Sequence, residues 1–242
     1  MKCLEKNRIV RFVTISFFIF LCSIISNAQS LNGITGYFKI PSAYISEDAQ
    51  LSIGASVFNK KYQQYSGYQN NVGAVYITLG YLPRIEISIR ITRKINADYT
   101  RHVMDRMFSG KFLLLDEGKY IPALALGLQN PYSTLESANH FNSTYFVISK
   151  SIEFSPILNA SITIGRGFGW IKSADHEFIG FFGGAEISIN PFNSIDVSLI
   201  LENSAVTSNA AIKLLLFNHF AILVGFEGMN ALSLGSSIIF NL

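Results

Sequence analysis

The sequence predicts an all-β fold: an antiparallel transmembrane β-barrel of about 12 strands, preceded by a cleaved N-terminal signal peptide. Three observations point there. First, Arg84 to Arg93 alternates without a break. Ile85, Ile87, Ile89 and Ile91 share one phase, and Glu86, Ser88, Arg90 and Thr92 share the other. Successive strand side chains point to opposite faces, so this stretch has one apolar wall and one polar wall. Second, similar segments recur along the chain, each of roughly the length that crosses a bilayer at a tilt. Third, charged residues make up only 14% of the chain, against about a quarter in soluble domains. No run of 18 apolar residues follows the leader, which excludes helical spans.

The leader comes first. Lys2, Lys6, Arg8 and Arg11 precede the apolar run Phe12 to Ile25, and Ser26-Asn27-Ala28 offers small residues for cleavage after Ala28. This is the pattern of a signal peptide over 1–28. Both cysteines, Cys3 and Cys22, lie in it, so the mature chain is expected to hold neither disulfides nor cysteine-ligated metal. Leu21 before Cys22 is too large for a lipidation site. The formal charge of +3 also belongs to the leader. Without its four basic residues and Glu5, the 19 Lys+Arg and 16 Asp+Glu become 15 of each. No basic surface for nucleic acid is expected.

Residues 29–49 read as a turn-rich segment, broken by Gly33, Gly36 and Pro41, with a short extended piece over Thr35 to Ile40. The barrel is expected over 50–242. Gln50 to Phe58 sets Leu51, Ile53, Ala55 and Val57 against Ser52, Gly54 and Ser56. Asn71 to Tyr81 follows a polar loop, and Leu82-Pro83 turns tightly into the Arg84 strand. After an exposed stretch over Thr92 to Asp105 come Arg106 to Leu115, a turn at Asp116 to Lys119, and Tyr120 to Gln129 with Leu124, Leu126 and Leu128 in one phase. Thr144 to Lys150 is a strand whose faces do not separate. Ile157 to Trp170 alternates large with small, and Arg166 in the apolar phase predicts a bulge or a rim position. Gly180 to Asn190, Ile195 to Glu202, Ala210 to Leu216, Phe220 to Glu227 and Ala231 to Leu242 complete the series. Short turns and longer polar loops are interspersed, as in outer-membrane barrels.

Several blocks, in order, resemble one family. LNGITGYFKIPSAYISEDAQLSIGAS carries Gly33, Gly36, Pro41-Ser42-Ala43, Glu47-Asp48 and Leu51 to Gly54. LPRIEISIR carries Leu82, Pro83 and Glu86. DRMFSGKFLLLDEGKYIPALALGLQNP carries Asp105, Arg106, Phe108, Lys111, Glu117, Gly118, Pro122, Ala123 and Ala125 to Leu128. Ser149-Lys150, and Gly183, Gly184 and Glu186, follow. This set is similar to YjbH-type outer-membrane proteins linked to exopolysaccharide biosynthesis. Typical members are much longer, and this chain has room for one barrel. The resemblance implies a non-enzymatic barrel in the cell outer membrane that assists exopolysaccharide production or export. Its partners would be outer-membrane lipid, a polysaccharide and other envelope export proteins. The alternative is a general diffusion pore or a structural outer-membrane protein.

No catalytic, cofactor or metal constellation is expected. His102, His140, His176 and His219 show no ligand spacing. Gly165 to Gly169 lies within a strand with no helix after it, so it is not a phosphate loop. Asn142-Ser143-Thr144 is formally a glycosylation sequon. What remains is the polar wall. Glu86, Arg90, Lys111, Glu186, Asp196, Glu202, Lys213 and Glu227 are the candidate lumen residues. They either pair with one another to fill a narrow barrel or line a path for a polar solute or sugar chain.

Overall fold

The computed structural model describes residues 28–62, 70–95, 104–131, 141–170, 177–192 and 194–242. The expected leader with both cysteines lies outside these residues, as do His102, His140 and His176. Twelve antiparallel strands follow one another: β1 (Gln50–Phe58), β2 (Val72–Gly80), β3 (Ile85–Lys94), β4 (Met104–Leu115), β5 (Ala123–Gln129), β6 (Ser143–Glu153), β7 (Leu158–Phe168), β8 (Gly180–Phe192), β9 (Ile195–Asn203), β10 (Ser208–Leu216), β11 (Phe220–Glu227) and β12 (Ala231–Asn241). Each pairs with its sequence neighbours, and β12 returns to β1 from Gln50↔Asn241 to Val57↔Leu234, so the sheet closes. Closure leaves no edge whose backbone groups would go unpaired in lipid.

The wall is apolar outside and polar inside. Ile53, Ile77, Ile89, Phe108, Ile148, Ile164, Ile187, Leu199, Val224 and Leu234 are exposed, whereas Ser52, Thr78, Ser88, Ser149, Thr163, Ser198 and Ser233 are buried. That distribution belongs to a barrel standing in an outer membrane, with lipid against the isoleucine face. The connections β2–β3, β4–β5, β6–β7, β8–β9 and β10–β11 share one end and are all short, whereas the longest ones, β1–β2, β3–β4, β5–β6 and β7–β8, lie at the other, which makes the first end the periplasmic one. The hairpin after β10 turns through Phe217 and Asn218, both at positive φ, the geometry that follows the right-handed twist of paired strands.

Arg166 sits in unbroken register between Phe146 on β6 and Phe181 on β8, so there is no bulge at this position. It lies near the end of β7, pointing outward, with its guanidinium 5.1 Å and 5.0 Å from the Phe168 and Phe181 ring centres. This is the rim position, where a cation over aromatic faces can reach the headgroups. The register breaks lie elsewhere, at Leu113/Leu115 and at Ile189/Phe192. In β6 the outward face is Phe146, Ile148 and Ile152, and the inward face is Tyr145, Val147 and Ser149.

Residues 28–43 run inside the barrel. Leu31, Ile34, Tyr37, Phe38 and Ile40 are buried there. The expected extended piece over Thr35 to Ile40 is instead bent back on itself. Isolated bridges Gln29↔Thr35 and Gly36↔Pro41 and the Leu31 N–H bond to the Phe38 carbonyl (2.9 Å) hold a compact double turn. A cylinder of 12 strands encloses more space than Ser, Gly and Thr side chains can fill, and this plug takes up much of it.

Candidate functional site

Two wall carboxylates hold the plug. Glu86, the first residue of the polar phase of β3, accepts the Thr35 N–H at 2.9 Å and the Ser46 N–H at 2.8 Å, and also accepts the Thr35 hydroxyl. Lys111, its cross-strand neighbour on β4, pairs with it at 3.2 Å and donates to the Thr35 carbonyl at 2.7 Å. Glu202 on β9 faces the other limb of the plug. It accepts the N–H groups of Phe38 (3.0 Å), Lys39 (3.0 Å) and Ile40 (3.3 Å), and the Asn209 side chain at 2.8 Å. Successive backbone N–H groups aimed at one anion make a nest, and the donors offset much of the cost of burying the charge.

Nearer the extracellular end, Lys39 of the plug lies between Glu227 on β11 (3.7 Å) and Glu177 in the β7–β8 connection (3.6 Å). Glu177 also accepts from Gln129 at 2.8 Å. Arg90 donates to the Asn32 side chain and lies 5.6 Å from the Phe58 ring centre. Beside these charges, Tyr145, Phe178 and Phe182 pack edge to face or tilted, with centroids 5.6–6.1 Å apart. They seal the space between the plug and strands β6 and β8. The small wall residues make this approach possible, since a side chain at Gly165 would overlap the Phe182 ring.

On the periplasmic side the plug stops short of the wall and leaves a cavity of about 650 Å³, bounded by Tyr37, Glu186, Asp196, Lys213 and the β6–β7 turn. A separate extracellular cavity of about 60 Å³ touches Lys39, Phe141, Glu177 and Phe178. The two share no lining residue. Lys213 pairs with Glu186 at 2.9 Å and donates to the Gly36 carbonyl at 3.4 Å. At the mouth, Glu117 in the β4–β5 turn accepts from Lys150 (2.7 Å), the Tyr44 hydroxyl (2.6 Å) and the Ser151 N–H (2.9 Å). Partial burial pushes its carboxyl up, but these three donors together hold it below the usual carboxylate range. Burial, then the facing carboxylate, pushes the Tyr44 hydroxyl well above its ordinary value.

All eight candidate residues read from the polar phase face the lumen. Glu86, Arg90, Lys111, Glu202, Lys213 and Glu227 are buried, and Glu186 and Asp196 border the periplasmic cavity. Four of them form the pairs Glu86–Lys111 and Glu186–Lys213 as wall partners, while Glu202, Arg90 and Glu227 meet the plug. Sequence reasoning missed Lys39, Tyr37, Asn32 and Glu177. The available signal was the apolar spacing of Leu31, Ile34, Phe38 and Ile40 in an otherwise turn-rich segment. Asn142 of the sequon is buried, and its amide donates to the Gln129 and Asn130 carbonyls, so the folded chain offers no glycosylation site there. Among the described residues no group of three His, Cys, Asp or Glu could hold a metal ion.

A model of the family YjbH, described as exopolysaccharide biosynthesis protein YbjH, matches residues 28–183. That stretch contains the plug and β1 to β7. No curated protein matches the chain. Among solved structures, the fold is similar to a KdgM porin (TM-score 0.51, 7% identity, 79% of this chain and 99% of that one). Weaker similarity is seen to the outer membrane protein Omp33 of Acinetobacter baumannii (TM-score 0.47, 8% identity, 81% and 99%). An outer membrane channel of Pseudomonas putida F1 is also similar (TM-score 0.43, 10% identity, 81% and 97%).

Proposed function

Because the chain belongs to the YjbH family of exopolysaccharide biosynthesis proteins, we propose that it is a plugged outer-membrane barrel that assists exopolysaccharide production or export without catalysing a reaction itself. The observation that carries this reading is the reach of the family match. It takes in the plug together with the strands that bear Glu86 and Lys111, so the plug-and-wall unit is the part of the chain shared with a family defined by exopolysaccharide biosynthesis. The role is then to present a periplasm-facing compartment beneath a seal of aromatic rings, and to act with other envelope export proteins on the polymer. A general diffusion pore fits less well, because the plug and the aromatic cluster stand between the two cavities.

The test is a chromosomal deletion, with surface polysaccharide quantified by hexose assay and dye binding. Loss of polymer, restored by the wild-type chain, is expected. Unchanged polymer in the deletion overturns the proposal. Purified protein in planar bilayers is expected to show no steady open-channel current, and steady single-channel steps would favour the pore.

A further inference from the structure

The periplasmic cavity is large for an unused space. At about 650 Å³ it falls within the range of small-ligand sites, about 300–1,000 Å³. Its lining bears four carboxylates (Glu117, Glu153, Glu186 and Asp196) and one ammonium, that of Lys213. Two of the carboxylates are neutralised. Glu117 has Lys150 at 2.7 Å, and Glu186 has Lys213 at 2.9 Å. Asp196 differs. Its Oδ1 is buried with no hydrogen-bond partner. The ammonium that could serve it is engaged by Glu186 and the Gly36 carbonyl. Asp196 as a whole is half-buried in the cavity wall, so its carboxylate borders the open space with its charge uncompensated there, and a cation arriving in the cavity gains a charge-assisted partner.

The rest of the lining selects among cations. Ser188, Ser198, Asn159 and Asn190 supply hydroxyls and amides around Asp196 and Glu186. Such groups pair with the hydroxyls of a sugar ring. The Tyr37 and Tyr44 side chains border the same space. The excess of carboxylates opposes an acidic polymer, and a neutral glycan would leave Asp196 as it stands. We propose that this vestibule binds a short glycan segment carrying free amino groups, with Asp196 pairing the sugar ammonium. The inference rests on the polysaccharide role proposed above and names the class of polymer.

The test uses the full chain folded in detergent micelles and isothermal titration calorimetry, at a pH where the sugar amine is protonated. The probes are a glucosamine trisaccharide, its fully N-acetylated counterpart, a glucuronate oligomer and spermidine. The glucosamine trisaccharide is expected to bind about tenfold tighter than the acetylated one, the scale of one charge-assisted hydrogen bond. Asp196→Asn is expected to erase that preference while the barrel stays folded on a heat-modifiability gel. Asp196→Ser, which removes the charge with a smaller side chain, should do the same. Equal binding of the free and acetylated sugars, an unchanged preference in both variants, or spermidine binding as tightly as the trisaccharide each overturns the proposal. If deletion of the gene removes surface polymer while these titrations fail, the export role stands and the amino-sugar assignment falls.

Discussion

Replacing Glu202 with leucine tests whether the wall holds the plug by its carboxylates. The carboxylate accepts three consecutive N–H groups, those of Phe38, Lys39 and Ile40. Leucine preserves most of the volume and abolishes the acceptor. A buried amide left without a partner costs about 1–3 kcal/mol. The low end applies, because the substitution also removes the burial cost of the charge. Three amides at about 1.4 kcal/mol each give about 4 kcal/mol, or about a thousandfold in the equilibrium between a docked and an undocked plug. The reporter is Ser30→Cys. Residues 28–242 contain no cysteine, Ser30 is buried, and its hydroxyl has no hydrogen-bond partner, so the exchange disturbs little. Maleimide labelling of Cys at position 30 is expected to be slow with Glu202 present and faster by up to that factor in Glu202→Leu. The barrel itself should remain heat-modifiable, because its ladders are untouched. Equal labelling rates in the two backgrounds, with both barrels folded, would refute the reasoning.

Other consequences are open to measurement. Lys111→Met leaves Glu86 buried beside a neutral neighbour and is expected to cost about 3–5 kcal/mol in the unfolding free energy, whereas the double variant Glu86→Gln/Lys111→Met should cost less; urea titration into lipid vesicles compares them. Ile89, exposed at the middle of β3, faces lipid, so Ile89→Arg is expected to lose about 2–4 kcal/mol in the same titration. Glu117 has a carboxyl held below its usual range. Its contribution is therefore present above the unfolded pKa and is lost as pH falls through the lowered folded one. The melting midpoints of the wild type and Glu117→Gln should differ at neutral pH and converge in acid; a gap that stays constant with pH would contradict this. At Gly80 a Cβ would overlap the Glu47 carbonyl oxygen. Gly80→Ala should shift that backbone and raise the accessibility of the plug without opening the sheet.

The wall was legible because lipid imposes one rule on every strand. Where the outward phase is apolar and the inward phase is Ser, Gly or Thr, period two assigns both faces, as in β1, whose bounds Gln50–Phe58 coincide with those read from the sequence. β6 resisted because Tyr145 and Val147 are apolar and inward, packed in the aromatic seal beneath the outer loops, so both phases look greasy. Strand ends were underestimated for a related reason. β3 continues to Lys94 and β4 starts at Met104. Beyond the bilayer a strand meets water on both sides, and its alternation fades although its ladder does not.

The plug was not legible, and the reason is a matter of scale. Strand periodicity is local, but the need for a plug arises from the barrel's circumference. Only after 12 strands are counted does it follow that small inward side chains leave a lumen for water or for another part of the chain. The charges then give a second clue that also requires the whole cylinder. Glu86 finds Lys111 on the adjacent strand, but the cross-strand neighbours of Glu202 are Asn209 and Gly184, neither of them a cation. A lumen carboxylate without a wall cation needs donors from elsewhere. The backbone of a bent, turn-rich segment can supply them where a helix or strand cannot, because its N–H groups are not already committed to a ladder. Gly33 at φ 88° and the fold-back of Gly36 on Pro41 free those amides in 28–43. The glycines and proline that look like disorder to a strand-seeking eye are therefore what lets this segment present three N–H groups to a single carboxylate.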